Sequence, residues 1–247
     1  MVETMPTLIP RVIGHRGAAG HAPENTLVSL EKAAALGVRW VEFDTKLSAD
    51  GVPVVFHDDK LERTTDGRGP VAEMPLAELL ALDAGTWFGD GFAGEPVPTL
   101  GQAMAPLTRL GLGANVEIKA SPGREAETGD TVGVVLKSDW PETLPAPLIS
   151  SFDAETLAAA GAAAAEIPRA FLVFKIPRDW RARLEDLGAA ALHCQAKHLT
   201  RKKARAVLDG GFQLRVFTVN DRAEAEKLFG WGVDAVISDY PDRLLSL

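Results

Sequence analysis

The chain has 247 residues, of which 46% are hydrophobic and 24% are charged, and its formal net charge is −8. This length and composition predict a soluble globular protein with a core large enough for one α/β barrel. The acidic balance argues against a nucleic-acid-binding protein, which would present a basic face. It also means that a site for an anionic substrate has to be built locally, from basic side chains, helix N-termini or a metal ion.

Cysteine content and hydropathy give the expected location. Cys194 is the only cysteine, so no intrachain disulfide can form. The N-terminal residues lack the continuous apolar stretch of a secretory signal, and no run of eighteen apolar residues is present. We therefore expect a cytoplasmic protein without stable membrane association. The sequence does not indicate an oligomeric state.

The first elements carry most of the reactive side chains. Residues 11–16 predict a short buried strand, residues 25–36 a helix, and residues 39–44 a second strand. A turn signal at 48–51 separates the second strand from another apolar run. The connection is too short for a parallel crossover, so these segments should form an antiparallel hairpin that brings His57 back beside Asp44.

Strands and helices alternate along the rest of the chain, apart from an insertion at about 46–97. The barrel period resumes at 99–110 and continues through predicted strands at 114–119, 148–152, 169–173, 191–195, 213–219 and 234–239. Without the returning hairpin strand, eight strands alternate with helices. This count predicts an α/β fold, a (β/α)₈ TIM barrel with a small insertion after the second strand, built as one domain over residues 1–247.

Catalysis in such barrels occurs at the C-terminal ends of the strands. The polar residues predicted at these ends are His15, Arg16, Glu42, Asp44, Glu117, Lys119, Ser151, His193, Gln195, Thr218, Asn220, Ser238 and Asp239. Glu42 and Asp44 are two positions apart on a strand and therefore share a face. Together with Glu117 they would repel one another unless a cation balanced them. Their oxygen ligands suit Mg²⁺ or Ca²⁺ better than Zn²⁺.

Structural interpretations compete with several of these functional ones. Arg16 and Lys119 would also serve as simple buried partners of the carboxylates. His193 would either line the pocket or make a structural hydrogen bond. The aromatic residues of the insertion would either pack within it or cover the substrate; these are Trp87, Phe88 and Phe92.

Several motifs together resemble the glycerophosphodiester phosphodiesterase family, and they extend over almost the whole chain in the family's order. They are His15-Arg16-Gly17, Pro23-Glu24-Asn25-Thr26, Glu42-Phe43-Asp44, His57-Asp58, Leu61-Glu62-Arg63-Thr64, Asp83-Ala84-Gly85-Thr86-Trp87, Glu117-Ile118-Lys119, Ser150-Ser151-Phe152, Thr218-Val219-Asn220, Gly232-Val233-Asp234 and Ser238-Asp239. The insertion resembles the small subdomain of this family. The similarity is greatest to its short cytosolic bacterial members.

The resemblance implies hydrolysis of small-molecule glycerophosphodiesters, such as glycerophosphocholine and glycerophosphoethanolamine, to sn-glycerol 3-phosphate and an alcohol. It implies that His15 and His57 act as the general acid and base. It further implies that Arg16 and Lys119 contact the phosphate. One divalent cation, Mg²⁺ or Ca²⁺, would be held by Glu42, Asp44 and Glu117. Expected supporting or pocket residues are Glu24, Asn25, Asp58, Ser151, Phe217 and Asn220.

Which histidine is the acid remains open at this stage, as does whether water or a glycerol hydroxyl attacks. Phe217 departs from the family pattern, which usually has Trp or Tyr there, so the ring is kept and a polar group is lost. Two other functions are compatible with the same barrel. One is a phospholipase-type phosphodiesterase acting on lysophospholipids, and the other is a non-catalytic anion-binding barrel.

Overall fold

The computed structural model describes residues 9–247, in which eight parallel strands close into a barrel. The strands are β1 Val12–Gly14, β2 Trp40–Leu47, β3 Pro53–Val55, β4 Gly113–Ile118, β5 Leu148–Ser151, β6 Arg169–Val173, β7 Ala191–Gln195, β8 Gln213–Phe217 and β9 Ala235–Ser238. The helices are α1 Leu27–Ala35, α2 Leu76–Leu79, α3 Leu100–Leu110, α4 Glu125–Asp139, α5 Ala154–Ala163, α6 Trp180–Asp186, α7 Arg201–Asp209 and α8 Arg222–Gly230.

The strand order explains how the barrel closes. Neighbouring strands follow the order β1-β9-β8-β7-β6-β5-β4-β2, and Gly14 pairs with Val41 to join β1 to β2. All of these pairings are parallel, and β3 lies outside the ring. The predicted (β/α)₈ TIM barrel is confirmed. β8 ends at Phe217, two residues before the predicted end, and the peptide bond to Thr218 is cis.

The predicted hairpin is present between β2 and β3. The two strands are antiparallel, with Thr45 opposite Val55 and Leu47 opposite Pro53. β2 extends three residues beyond its predicted end because Thr45, Lys46 and Leu47 pair with β3, while only Thr45 also pairs with β4 of the barrel. The backbone N–H of Phe56 donates to the carbonyl oxygen of Asp44 at 3.0 Å. The next residue, His57, is thereby held at the base of the hairpin.

The segment between β3 and α3 has a small apolar core of its own. Its buried members are Val54, Phe56, Leu61, Val71, Leu79, Ala84 and Val97. In this segment the ring of Phe88 packs edge to face against the rings of Trp87 and Phe92. None of these three side chains lines the cavity that contains the predicted site residues. Their contacts therefore correspond to packing within the insertion.

Two apolar layers hold the barrel together. The larger layer lies between the strands and the helices, and the smaller one fills the barrel interior. At the N-terminal end of the strands the ring of Trp40 lies against Gly113, where an added Cβ would approach the ring to 2.2 Å. Apolar packing thus closes one end of the barrel, while the polar residues collect at the other.

Side-chain caps fix the start of several helices close to the strand ends. Thr26, Asp153, Thr200 and Asp221 each accept a hydrogen bond from the backbone N–H three residues later. Thr99 and Gln102 form a reciprocal capping box at the start of α3. Within residues 9–247, none of the helices has the length and apolar character needed to cross a bilayer.

Candidate active site

Three buried carboxylates meet at the C-terminal end of neighbouring strands. Glu42 and Asp44 lie on β2, and Asp44 is directly opposite Glu117 of β4. One oxygen atom from each of the three side chains lies within 4.8 Å of the other two. Glu42 and Asp44 are each 1% exposed, and Glu117 is 7% exposed. The predicted acidic cluster is therefore present.

The acidic cluster carries more negative charge than its neighbours balance. Burial and then the charges of Asp44 and Glu117 raise the pKa of Glu42 well above its ordinary value. Burial and then Asp44 likewise raise the pKa of Glu117. Burial opposes ionisation of Asp44, but Arg16 and Lys119 outweigh it and its pKa is lowered. The outer oxygen of Glu42, Oε1, is buried without a hydrogen-bond partner, so it is available as a ligand to a cation.

Two basic side chains border the carboxylates. Arg16 Nε lies 3.2 Å from Asp44 Oδ2, and Lys119 Nζ lies 2.6 Å from Glu117 Oε1. The backbone at Arg16 is in the left-handed region, with φ of 50°, and its N–H donates to Glu42 Oε2 at 3.0 Å. A non-glycine residue in this conformation has to be held by its surroundings. Both basic side chains also line the cavity, so ion pairing and contact with an anion are compatible.

Glu24 and Asn25 support this arrangement from the loop after β1. The side-chain amide of Asn25 donates to Asp44 Oδ2 at 2.9 Å, and its carbonyl oxygen accepts from the Asp44 N–H at 3.1 Å. Glu24 accepts a hydrogen bond from Arg16 Nη1 at 2.5 Å. The loop therefore fixes one carboxylate of the cluster and one of its basic neighbours.

His15 is oriented by a carboxylate that directly follows the last strand of the barrel. Its Nδ1 lies 2.6 Å from Asp239 Oδ1, and its Nε2 lies 3.8 Å from Glu42 Oε2. Asn220 donates to Asp239 Oδ2 at 2.8 Å and accepts from the Asp239 backbone N–H at 2.9 Å. Burial opposes ionisation of Asp239, but the hydrogen bond to His15 outweighs it and the pKa of Asp239 is lowered. An ionised Asp239 places the proton of His15 on Nδ1 and leaves Nε2 facing the cavity.

His57 has a similar partner on the insertion. Its Nδ1 lies 2.5 Å from Asp58 Oδ1. Asp58 in turn accepts from Arg63 Nε at 2.6 Å and from Nη2 at 3.0 Å. The same guanidinium donates to both oxygens of Glu24, at 2.9 and 2.7 Å. Burial is the largest influence on His57 and lowers its pKa. Arg63 therefore joins the partner of His57 to the partner of Arg16.

The side chains surround a cavity of about 280 Å³ with a polar side and an apolar side. Its lining residues are His15, Arg16, Glu42, His57, Glu117, Lys119, Phe152, Leu172, Phe174, Gln195, Phe217, Thr218 and Ile237. Phe152 stacks on Phe174 with ring centroids 4.7 Å apart and meets Phe217 edge to face at 5.7 Å. A second cavity of about 390 Å³ shares His57, Lys119 and Phe152 with the first.

Some predicted residues lie away from this cavity. Ser151 lines the second cavity, and its hydroxyl donates to the carbonyl oxygen of Ile118 at 2.8 Å. Asn220 reaches the site through Asp239. His193 is fully buried inside the barrel, 3.4 Å from Arg215. Burial, followed by the charge of Arg215, lowers the pKa of His193 well below its ordinary value. The structural interpretation of His193 fits this environment.

Asp239, Arg63, Phe152 and Phe174 are among the residues of the site that have no predicted role in catalysis or binding. Asp239 was recognised as a strand end, but its contact with His15 joins residues 224 positions apart. Arg63 lies in the insertion, away from any strand end. Phe152 and Phe174 each directly follow a barrel strand, so position at a strand end is the sequence signal that indicates both aromatic side chains.

Comparisons with known proteins agree with this geometry. The sequence model of the Glycerophosphoryl diester phosphodiesterase family matches residues 15–243. A glycerophosphodiester phosphodiesterase of Caldanaerobacter subterraneus is 31% identical, with 96% of each chain covered. A glycerophosphodiester phosphodiesterase of Bacillus subtilis is 31% identical, covering 93% of this chain and 83% of the relative. The structure of an Oleispira antarctica phosphodiesterase in complex with the product sn-glycerol-3-phosphate is 45% identical, covers 96% of each chain and superposes with a TM-score of 0.93.

The charge imbalance predicts an unusual effect of Glu42→Gln on the metal-free protein. When the pKa of a carboxyl group is higher in the folded than in the unfolded chain, the folded protein becomes less stable as pH rises from the unfolded to the folded pKa. Because the pKa of Glu42 is raised, Glu42→Gln should raise the melting temperature at pH 7 in the presence of chelator. The gain should shrink as pH falls toward the ordinary glutamate value of about 4.3.

Asp44→Asn is the matched control, because its carboxylate has a lowered pKa in the folded chain. This substitution should lower the melting temperature at pH 7. An ionised carboxylate with a lowered pKa stabilises the folded protein at pH values above its unfolded pKa, and this stability is lost on acidification. Thermal unfolding from pH 4.5 to 7.5 measures both effects. A lower melting temperature for metal-free Glu42→Gln at pH 7 would contradict the imbalance.

Proposed function

Because the chain belongs to the Glycerophosphoryl diester phosphodiesterase family, we propose that this phosphodiesterase hydrolyses small glycerophosphodiesters with a divalent cation and two histidines. The products are sn-glycerol 3-phosphate and an alcohol, and substrates of this class include glycerophosphocholine and glycerophosphoethanolamine. One observation carries the proposal. Two histidines, each held by its own carboxylate, line the same cavity as the acidic cluster and two basic side chains.

Glu42, Asp44 and Glu117 would hold the cation. Their carboxylates suit a hard ion such as Mg²⁺ or Ca²⁺, and the unpartnered Glu42 Oε1 fits a ligand role. A cation held there would supply Lewis-acid polarisation of a phosphoryl oxygen and positive charge for the transition state. Asn25 keeps Asp44 in place through two hydrogen bonds, so one of the three carboxylates that would hold the cation is fixed by the protein itself.

Arg16 and Lys119 would bind the oxygens of the phosphodiester group. Each is paired with only part of the acidic cluster, and each lines the cavity. Burial opposes the charge of Lys119, but Glu117 and Asp44 outweigh it and its pKa is raised. Its ammonium group therefore stays charged at neutral pH. Guanidinium and ammonium donors make the charge-assisted hydrogen bonds that phosphate oxygens accept.

The two histidines would move the protons. Hydrolysis needs one group to take a proton from the attacking hydroxyl and another to give a proton to the leaving alcohol oxygen. His57 has a lowered pKa, so its imidazole is mainly neutral at pH 7 and can accept a proton. His15 is held through Nδ1 by Asp239, which leaves Nε2 to face the substrate. The phenyl rings of Phe152, Phe174 and Phe217 would contact the carbon atoms of the substrate.

Removal of the divalent cation tests the proposed metal requirement. Chelation with EDTA followed by desalting should abolish hydrolysis of glycerophosphocholine, and Mg²⁺ or Ca²⁺ should restore it. Without the ion, the carboxylates of the acidic cluster repel one another, and no Lewis acid is present to polarise the phosphoryl group. A coupled dehydrogenase assay that monitors the release of sn-glycerol 3-phosphate measures the rate. Full activity after chelation would refute the requirement.

Substitution of either histidine tests the proton-transfer roles. His15→Ala and His57→Ala should each lower kcat by about 10²- to 10⁴-fold, the usual contribution of a general acid or base. His21→Ala is the matched control, because its ring pairs with Asp242 outside the cavity, and it should retain activity. Circular dichroism checks that each variant is folded. Wild-type rates in either site variant would rule out that residue's role.

Arg63 is a further positioning residue in this account, since its guanidinium holds both Asp58 and Glu24. Arg63→Ala should lower kcat by up to about 100-fold, because a displacement near 1 Å has effects of this size. Arg63→Lys should recover only part of the loss, because lysine keeps the positive charge but its ammonium group cannot make the two bidentate contacts.

Arg109→Ala is the control for loss of an arginine ion pair, because Arg109 contacts Glu31 on the surface. It should change kcat by less than about twofold, as exposed ion pairs contribute little. Circular dichroism distinguishes positioning from a general loss of folded protein, because only the loss of folded protein lowers the helical signal together with the apparent kcat. An unchanged kcat in Arg63→Ala would remove Arg63 from the mechanism.

A further inference from the structure

One sector of this acidic protein has a local excess of positive charge. Residues 174–209 contain nine Lys or Arg residues and four Asp or Glu residues, although the whole chain has a net charge of −8. Three of the four carboxylates pair with arginines of the same helices, in the pairs Asp179–Arg183, Glu185–Arg181 and Asp209–Arg205. Within residues 9–247, six basic side chains of this sector have no carboxylate within 4 Å: Lys175, Arg178, Lys197, Arg201, Lys202 and Lys203.

Three of these cations surround one cleft. The cleft has a volume of about 650 Å³ and is lined by Lys175, Ile176, Pro177, Arg178, Trp180, Lys203 and Ala206. Lys203 Nζ donates to the carbonyl oxygen of Ile176 at 3.3 Å, which ties α7 to the loop after β6. No carboxylate is among the lining residues. The cleft is therefore concave, positively charged and bordered by the half-buried indole of Trp180.

The cleft adjoins the active-site cavity at the same end of the barrel. The loop after β6 leaves the C-terminal end of a barrel strand, where the acidic cluster also lies. Phe174 lines the active-site cavity and is 62% exposed, and the next residue, Lys175, lines the cleft. Consecutive Cα atoms are about 3.8 Å apart. A substrate that extends from the cavity over Phe174 would therefore reach Lys175, the next residue along the chain and the first on this side to line the cleft.

We propose that this cleft binds a second phosphate of glycerophosphodiesters that carry one beyond the bond to be cleaved. The inference rests on the proposed function, because it extends the substrate of the same site. Lys175, Arg178 and Lys203 supply the charge-assisted donors that a phosphate group accepts. The local positive charge also offsets the repulsion that a chain of net charge −8 exerts on a polyanionic substrate.

A pair of substrates that differ by one glycerophosphate unit tests the subsite. Glycerophosphoglycerol has one phosphate. The molecule 1,3-bis(glycerophospho)glycerol is symmetric and has two phosphates, so a second phosphate lies beyond the cleaved bond in either orientation. The double variant Lys175→Ser and Arg178→Ser should raise KM for the second substrate at least about tenfold, because hydrogen bonds to charged groups are lost. Its KM for glycerophosphoglycerol should stay within about twofold of wild type.

The control variant is Arg201→Ser with Lys202→Ser. This variant removes two positive charges, as the cleft variant does. Its two residues lie on α7 and line a different cavity, together with Phe229 and Trp231. The control should leave both KM values within about twofold of wild type. Equal increases for the two substrates, or equal effects of the two double variants, would show long-range attraction in place of a subsite and would overturn the proposal.

Equilibrium binding separates this proposal from the proposed function. Calorimetric titration with glycerol 1,3-bisphosphate, in the presence of Mg²⁺, should show binding weakened at least about tenfold in the cleft variant but not in the control. If the wild-type protein hydrolyses neither substrate but shows this difference, the proposed function fails and the subsite stands. Equal affinity in the wild type and the cleft variant overturns the subsite. If the cleft variant loses binding to phosphatidylglycerol vesicles but keeps its affinity for the bisphosphate, the cleft binds a lipid surface and the proposed subsite is overturned.

Discussion

Repulsion among three buried carboxylates is the constraint on which the rest of the site depends. Glu42, Asp44 and Glu117 are brought within 4.8 Å by the register of two adjacent strands. Burial removes the water that would otherwise screen them, so their charges have to be balanced by partners or neutralised by protons. Arg16 and Lys119 balance Asp44, whereas the raised pKa values of Glu42 and Glu117 show that the balance is incomplete. The site is built to accept a further positive charge.

The surrounding contacts hold the reactive groups from two directions. On one side, Asn220 and Asp239 orient His15 from the loop before α8 and from the position directly after the last barrel strand. On the other, Asp58 and Arg63 orient His57 from the insertion, and Glu24 extends the same network to Arg16. The small apolar core of the insertion fixes the segment that carries Arg63. Packing within the insertion therefore controls the position of the His57 imidazole, whereas contacts at the barrel end control that of His15.

The barrel and the acidic cluster could be predicted because both depend on local sequence patterns. Alternation of strands and helices determines the fold class, and a spacing of two along a strand places Glu42 and Asp44 on one face. The hairpin was predictable from the length of its turn. The predicted roles of His15, His57, Arg16 and Lys119 remain predictions that the geometry accommodates. The expected cytoplasmic location and the choice of cation also remain predictions.

The supporting contacts could not be read from such patterns. Asp239 and His15 are joined only after eight strands close, and Arg63 reaches Glu24 across 39 residues of chain. The bounds of β2 were also missed, because its last residues pair with a hairpin partner whose register depends on tertiary contacts. The basic cleft combines a loop after β6 with α7, so its concave shape is a property of the folded chain alone.

Proton release on metal binding is the most direct test of the central constraint. Calorimetric titration of the chelated protein with Ca²⁺ or Mg²⁺ at pH 6, in buffers of different ionisation enthalpy, counts the protons set free. We expect one cation per chain with net proton release, because Glu42 and Glu117 must ionise to bind it. Glu117→Gln should bind more weakly and release fewer protons. Binding without proton release at pH 6, or binding unaffected by Glu117→Gln, would contradict a site governed by repulsion among these carboxylates.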